Sequence, residues 1–387
     1  MITRGLILVV WSIGSLLAAE VLSAPRARDL GVPFEGRPGP LNAITDVEGV
    51  TVGEVTLIDS QDPKHQVRTG VTAVLPRGRR SNELPSFAGT FALNGNGEMT
   101  GTAWVEESGF LEGPVLLTNT HSVGVVRDAA IQWRVRQGKA DATGYFWSLP
   151  VVAETWDGYL NDVNGFHVKP EHVFEALDRA HSGPVAEGNV GGGTGMICHE
   201  FKCGTGTASR VVSIGSSAYT VGVLVQANHG VRETLRIAGV PVGRELTEHR
   251  VYTDPTLGSH DTGSIIIVVA TDAPLLPHQL KRIARRGALG IARNGSFAGN
   301  GSGDIFIAFS TANADGARDE VRNVAEFLGN DALDPLFQGT VEAVEEAVIN
   351  AMVAATEMHG QLDHYATSIP HPALSELMRR YGRYALP

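Results

Sequence analysis

Apolar residues fall in short runs along this 387-residue chain, many of them β-branched and bounded by Gly, Asp or Asn. Residues 42–55, broken at Asp46 and Gly49, read as a strand and turn; residues 70–75, 115–117 and 122–126 read as further short strands. The period then changes. Residues 127–137 and 170–181 follow helical spacing, the second with Val173, Phe174, Leu177 and Ala180 along one stripe, and both predict helices that cover a sheet. After a glycine-dense stretch, 188–206, come two apolar strands, 209–214 and 219–226. A loop carrying Glu248, His249, Asp254 and His260 reads as exposed. It leads into the very apolar run 264–270, which is followed by a helix at 277–291, a strand at 304–309 and a long helix at 341–358. Elements on both sides of residue 264 are thus expected to share one core, and the C-terminal part alone would make a poor domain.

Composition narrows the function. With 43% hydrophobic and 19% charged residues the chain can bury a large core, and its 46 glycines follow no fixed period, which excludes a fibrous or repeat protein. A net charge of -11 with no basic stripe argues against nucleic acid as a partner. At the start, Arg4 and the apolar residues 5–18 read as an export signal, with Ala19 and Ala24 as cleavage points; the run is short for a membrane span, so a periplasmic or secreted protein without a stable membrane span is expected. Residues 25–40 read as a linker. The two cysteines, Cys198 and Cys203, flank His199 and Glu200, but no second Cys/His pair completes a zinc set. A disulfide and two plain thiols both remain open, and neither a metal nor another cofactor is called for.

Four segments carry candidate chemistry. In Thr262-Gly263-Ser264, a break before Ser264 would free an α-amine with a pKa of roughly 7.7 to 8.0, able to take the proton of that residue's own hydroxyl. Gly263 leaves room for an N-to-O acyl shift that makes the cut; otherwise Gly and Ser merely open a strand. In Asn300-Gly301-Ser302-Gly303-Asp304, strand alternation puts Ser302 and Asp304 on one face, where they could hold the new amine or cap a turn. Asn228 ends an apolar strand and could donate to an oxyanion, or serve as an ordinary turn residue. Glu154, beside Trp156, could pair with a substrate ammonium, or belong to a solvated acidic loop. Residues 188–195 lack the lysine of a phosphate loop, and their bare backbone is expected to line a cleft.

Taken together, from Gly39-Pro40-Leu41-Asn42 through Gly263-Ser264 and Asn300-Gly301-Ser302-Gly303-Asp304-Ile305-Phe306 to the last helix, these blocks resemble the L-aminopeptidase/D-amidase/D-esterase family, which includes the β-aminopeptidases. The resemblance implies an α/β protein with a four-layer α/β/β/α sandwich, made as a precursor that splits into an α polypeptide (41–263) and a β polypeptide (264–387). It also implies release of N-terminal L-, D- or β-amino acids from small peptides, amides or esters with a free amino terminus, and assembly of αβ units into a homo-oligomer. By the same carry-over Ser264 is the nucleophile, Asn228 an oxyanion donor, Ser302 and Asp304 partners of the α-amine, and Glu154 and Trp156 substrate-binding residues. Trp156 is a departure, because some relatives place a Tyr hydroxyl in the oxyanion hole there and Trp offers only an N–H. Two other readings stand beside this one: an acyltransferase or amide-oligomer hydrolase on the same fold, and a non-enzymatic periplasmic binding protein.

Overall fold

The structure is a computed structural model that describes residues 24–137, 147–251, 261, 263–316 and 320–385. The apolar runs form two main sheets. One has four strands in the order β1 (Thr51–Asp59), β2 (Val67–Arg79), β5 (Val115–Asn119), β6 (Val151–Thr155). The other has six, in the order β4 (Phe110–Leu111), β3 (Ser86–Gly95), β12 (Gly303–Ser310), β11 (Ser264–Thr271), β10 (Ser217–Asn228), β9 (Thr205–Ile214). Neighbours run antiparallel except β5 with β6 and β11 with β12. A parallel pair needs a crossover, which helix α5 (Pro277–Arg293) supplies between β11 and β12.

Strand alternation explains the layering. Ile265, Ile267 and Val269 of β11 point to a core shared with α5 and α6 (Asp334–Val353), whereas Ile266, Val268 and Ala270 point to a core between the sheets. On the four-stranded sheet, Val115, Leu117, Val151 and Ala153 close that middle core from the other side. Leu116 and Val152 face outward, against α2 (Val123–Gln137) and α3 (Pro170–Arg179). The result is helix, sheet, sheet, helix: the four-layer sandwich that the resemblance implies. Because both sheet faces are covered, the central strands read as continuous apolar runs. Among the described residues the remaining α-helices are α1 (Thr102–Ser108), α4 (Val242–Glu245) and α7 (His371–Arg380).

Several expectations need correction. Residues 122–126 are not a strand: Asn119 caps the Ser122 amide at 3.0 Å, and Val123, Val126, Ala130 and Trp133 then form a buried helical stripe. The long helix starts at Asp334 and ends at Val353, earlier at both ends than its apolar pattern predicts. Pro335 sits in the first turn, where no N–H is needed. The expected linker, 25–40, packs on the body: Arg26 pairs with Glu187 at 2.8 Å, and Arg28 and buried Arg210 both pair with buried Glu346 at 2.7 Å. Glu248 and His249 are exposed as expected, while Asp254 and His260 lie outside the described residues, as do Ala19 and the rest of the export segment up to residue 23. Among the described residues no helix is long and apolar enough to cross a membrane.

Candidate active site

The ends of three adjacent strands meet at Ser264. In the sheet register Ser264 lies opposite Asn228 of β10 on one side and Gly303 of β12 on the other. Alternation turns its side chain toward the middle of the sandwich, on the face where Ile266 lies. Ser264 is buried, 5% exposed, at the head of a strand that is buried throughout. The preceding residue has to be glycine for packing reasons, because a Cβ on Gly263 would fall 1.9 Å from the Asn228 carbonyl oxygen and 2.7 Å from the Cα of His229.

Each candidate partner is held in one orientation. Asn228 accepts the Ile197 amide at Oδ1 (2.8 Å) and donates from Nδ2 to the Trp156 carbonyl (2.8 Å), so the chemistry of its neighbours settles which end of the amide is which. One Nδ2 hydrogen is committed, and the amide has a second to give. Ser302 donates to Asp304 Oδ1 at 2.8 Å; Asp304 Oδ2 is buried with no hydrogen-bond partner among the described residues. Burial lifts the Asp304 carboxyl to about 6, against the pull of the Ser302 hydroxyl and helped by the negative charge of Asp261.

Glu154, at the end of β6, comes from the opposite sheet. Its Oε1 accepts the Glu98 amide at 3.0 Å, its Oε2 accepts the Thr120 hydroxyl, and burial raises its pKa. Gly97 bridges it to the strand ends: the Cβ position of Gly97 is 3.2 Å from Glu154 Oε1 and 3.3 Å from Gly303 Cα. Trp156 follows two residues later, 42% exposed, its indole lying over Gly158. Thus the structure brings Ser264, Asn228, Ser302, Asp304, Glu154 and Trp156 to one end of the sandwich. The expectation for residues 188–195 fails. Gly191, Gly192 and Gly193 form a buried turn packed between the two sheets, with Cβ positions 2.1 Å from Thr72 Oγ1, 2.1 Å from Gln226 Oε1 and 2.3 Å from the Thr205 nitrogen, and no phosphate would fit.

Some members of this cluster were not read from the sequence. Buried Asp261 accepts the Gly230 amide at 2.9 Å and the Gly299 amide at 3.3 Å, tying together the loops that flank β10, β11 and β12. His199 and His229 are buried with ring centroids 5.4 Å apart; burial, and for His229 also its partner ring, holds both below the usual imidazole range, His229 at about 3. Thr120 and Ile197 orient Glu154 and Asn228. Asp261 had a signal, an acid three residues before the candidate nucleophile, whereas Thr120 and the Ile197 backbone amide had none. Cys198 and Cys203 are joined in a disulfide, which resolves the choice between crosslink and free thiols.

Comparison with known proteins gives the family and the fold. The pattern of peptidase family S58 matches residues 42–366. A β-peptidyl aminopeptidase BapA of Sphingosinicella microcystinivorans is 53% identical, with 96% of each chain covered, and one of Sphingosinicella xenopeptidilytica is 49% identical, with 94% of each covered. Among solved structures, the L-aminopeptidase D-Ala-esterase/amidase of Ochrobactrum anthropi, described as a prototype for the serine aminopeptidases and a variant of the Ntn hydrolase fold, superposes with a TM-score of 0.86 at 49% identity over 93% of this chain and 100% of its own. A Burkholderia sp. β-aminopeptidase gives 0.84 at 46% identity, over 92% and 99%. A binding protein without turnover is therefore set aside. The chain belongs to peptidase family S58 and is an aminopeptidase.

Proposed function

We propose that this aminopeptidase is a precursor that cuts itself between Gly263 and Ser264 and then uses Ser264 as an N-terminal nucleophile, with β-aminoacyl peptides and amides as its preferred substrates. One observation carries the reading: the register sets Ser264 between Asn228 and Gly303, and Gly303 lies between Ser302 and Asp304, which are hydrogen-bonded to each other. In the precursor, Ser264 Oγ attacks the Gly263 carbonyl carbon, the C–N bond breaks as the nitrogen takes up a proton, and water hydrolyses the resulting ester. The new α-amine then accepts the hydroxyl proton during turnover. Asp304 Oδ2, which has no hydrogen-bond partner among the described residues, receives a donor when that amine appears. Asn228 Nδ2 offers its second hydrogen to the oxyanion. Glu154 pairs with the substrate ammonium, Trp156 forms the wall beside it, the leaving amine departs with the proton, and water releases the acyl group.

The preference for β-aminoacyl groups is supported by the names of the relatives. The export reading rests on Arg4 and the apolar residues 5–18, and cleavage at either Ala19 or Ala24 would spare Arg26 and its bond to Glu187. Assembly of αβ units into a homo-oligomer belongs to the same reading, and sedimentation equilibrium checks it. The deciding experiment is mass spectrometry of purified protein beside Ser264→Ala. Wild type should give two polypeptides, the second beginning at Ser264, and hydrolyse β-alanyl-p-nitroanilide, while the variant stays whole and inactive. An active wild type with its 263–264 bond intact would refute the mechanism. A panel of L-, D- and β-aminoacyl amides ranks the substrates.

A further inference from the structure

We propose that the Cys198–Cys203 disulfide positions the oxyanion donor, so that a precursor with this pair reduced cuts itself and turns over slowly; the inference rests on the role given above to Asn228. The crosslinked hairpin is minimal. It consists of β7 (Ile197–Cys198) and β8 (Phe201–Lys202), joined by His199 and Glu200. Both turn residues have positive φ, 46° and 58°, a conformation that side chains of this kind resist. Two residues are paired on each side, the buried Arg232 guanidinium donates to the His199 and Glu200 carbonyls, and the covalent bond between two fully buried cysteines closes the base of the turn.

This hairpin runs beside the last residues of β10. Cys198 Sγ lies 3.2 Å from the Ala227 carbonyl oxygen, the Ile197 amide donates to Asn228 Oδ1 at 2.8 Å, and the His199 amide donates to the His229 carbonyl at 2.8 Å. The Ile197 bond is one of the two contacts that aim the Asn228 NH2 group, the Trp156 carbonyl being the other. Without the crosslink, Arg232 still holds the His199 and Glu200 carbonyls, but the strand before the turn is no longer tied to Cys203, so Ile197 shifts and the donor moves off the place where charge develops. Glu200 adds a second connection. Its carboxylate takes Arg250 Nε at 3.0 Å, close to the start of the loop that leads to the cleavage position. Disulfides persist in oxidising compartments and not in the bacterial cytoplasm, so the crosslink joins maturation to the export that the first residues suggest.

The test compares wild type with Cys198→Ala/Cys203→Ala, each alone and combined with Asn228→Ala. It reads the half-time of precursor splitting by mass spectrometry and kcat and KM on β-alanyl-p-nitroanilide. Loss of the disulfide should lower kcat between about 10- and 100-fold, leave KM within about twofold, and slow self-cleavage in parallel. In the Asn228→Ala background it should cost almost nothing further, because the group it positions is gone. A kcat within twofold of wild type overturns the proposal, as does a loss of equal size in both backgrounds. If circular dichroism shows the double variant unfolded, mature wild type treated with dithiothreitol until two thiols titrate decides by the same criteria. Failure of the wild type itself to split or turn over would instead strike the proposed function.

Discussion

Replacing Asn228 by Ala is the perturbation whose size the structure defines best. The amide stands opposite Ser264 in the register, held by Ile197 at one end and by the Trp156 carbonyl at the other. The substitution removes one preorganised donor and leaves the Ile197 amide and the Trp156 carbonyl without their partner, in a site where water is largely excluded. Loss of a single oxyanion donor costs about 2.7 to 4 kcal/mol of barrier, or roughly 100- to 1000-fold in kcat. The ground-state carbonyl gains little from that donor, so KM should change by no more than about threefold. Stopped assays with β-alanyl-p-nitroanilide on protein already split separate the two constants, and mass spectrometry of fresh precursor follows the first cut, which passes through its own oxyanion. Both rates should fall together. A loss that appears wholly in KM, or a kcat within about fivefold of wild type with splitting unaffected, would refute the assignment of Asn228 as the donor.

Further outcomes follow from the same geometry. In the precursor trapped by Ser264→Ala, the raised Asp304 pKa means that the folded state favours the protonated acid, so this group's stabilising contribution is present below about pH 4 and is lost as pH rises through about 6. Asp304→Asn should therefore stabilise the trapped precursor at pH 7, by on the order of 3 kcal/mol, and make no difference at pH 4, as read by urea unfolding at both pH values. Glu154→Gln removes the charge that would meet a substrate ammonium while keeping its shape; KM for β-alanyl-p-nitroanilide should rise roughly 10- to 100-fold, and an unchanged KM would argue against that pairing. Glu346→Ala strips two arginines of a fully buried partner and should cost about 3 to 5 kcal/mol in urea unfolding without changing kcat, since Arg28 and Arg210 lie away from the strand ends that carry the site.

Much of the architecture was legible because it rests on local period. The run from Ser264 to Ala270 could be recognised as a covered strand, and the stripe of Val173 and Leu177 as a helix face, since burial on two faces or one leaves a pattern that neighbours in the chain share. Where local signals conflicted, the reading failed. Val123 to Val126 is β-branched enough to pass for strand, yet the Asn119 cap and the stripe that continues to Trp133 make it helix. Asp334 to Thr340 carries Pro and Gly that look like a loop, yet Pro335 falls in a first turn and Gly339 packs against Val212 and Arg210.

For the site, the sequence by itself determined which residues had the right chemistry: Ser264 after a glycine at the head of an apolar strand, Asn228 at the end of another, Ser302 and Asp304 two apart on a third, and Glu154 beside an aromatic. Only the tertiary structure decided that these strand ends adjoin, that Ile197 aims Asn228, that Thr120 holds Glu154, and that Asp261 ties the surrounding loops. The division has a physical origin. A residue's periodicity reports how its own strand or helix is buried, whereas the partner across a sheet is chosen by the packing of segments tens to hundreds of residues apart, and the sequence around either one carries no mark of the other.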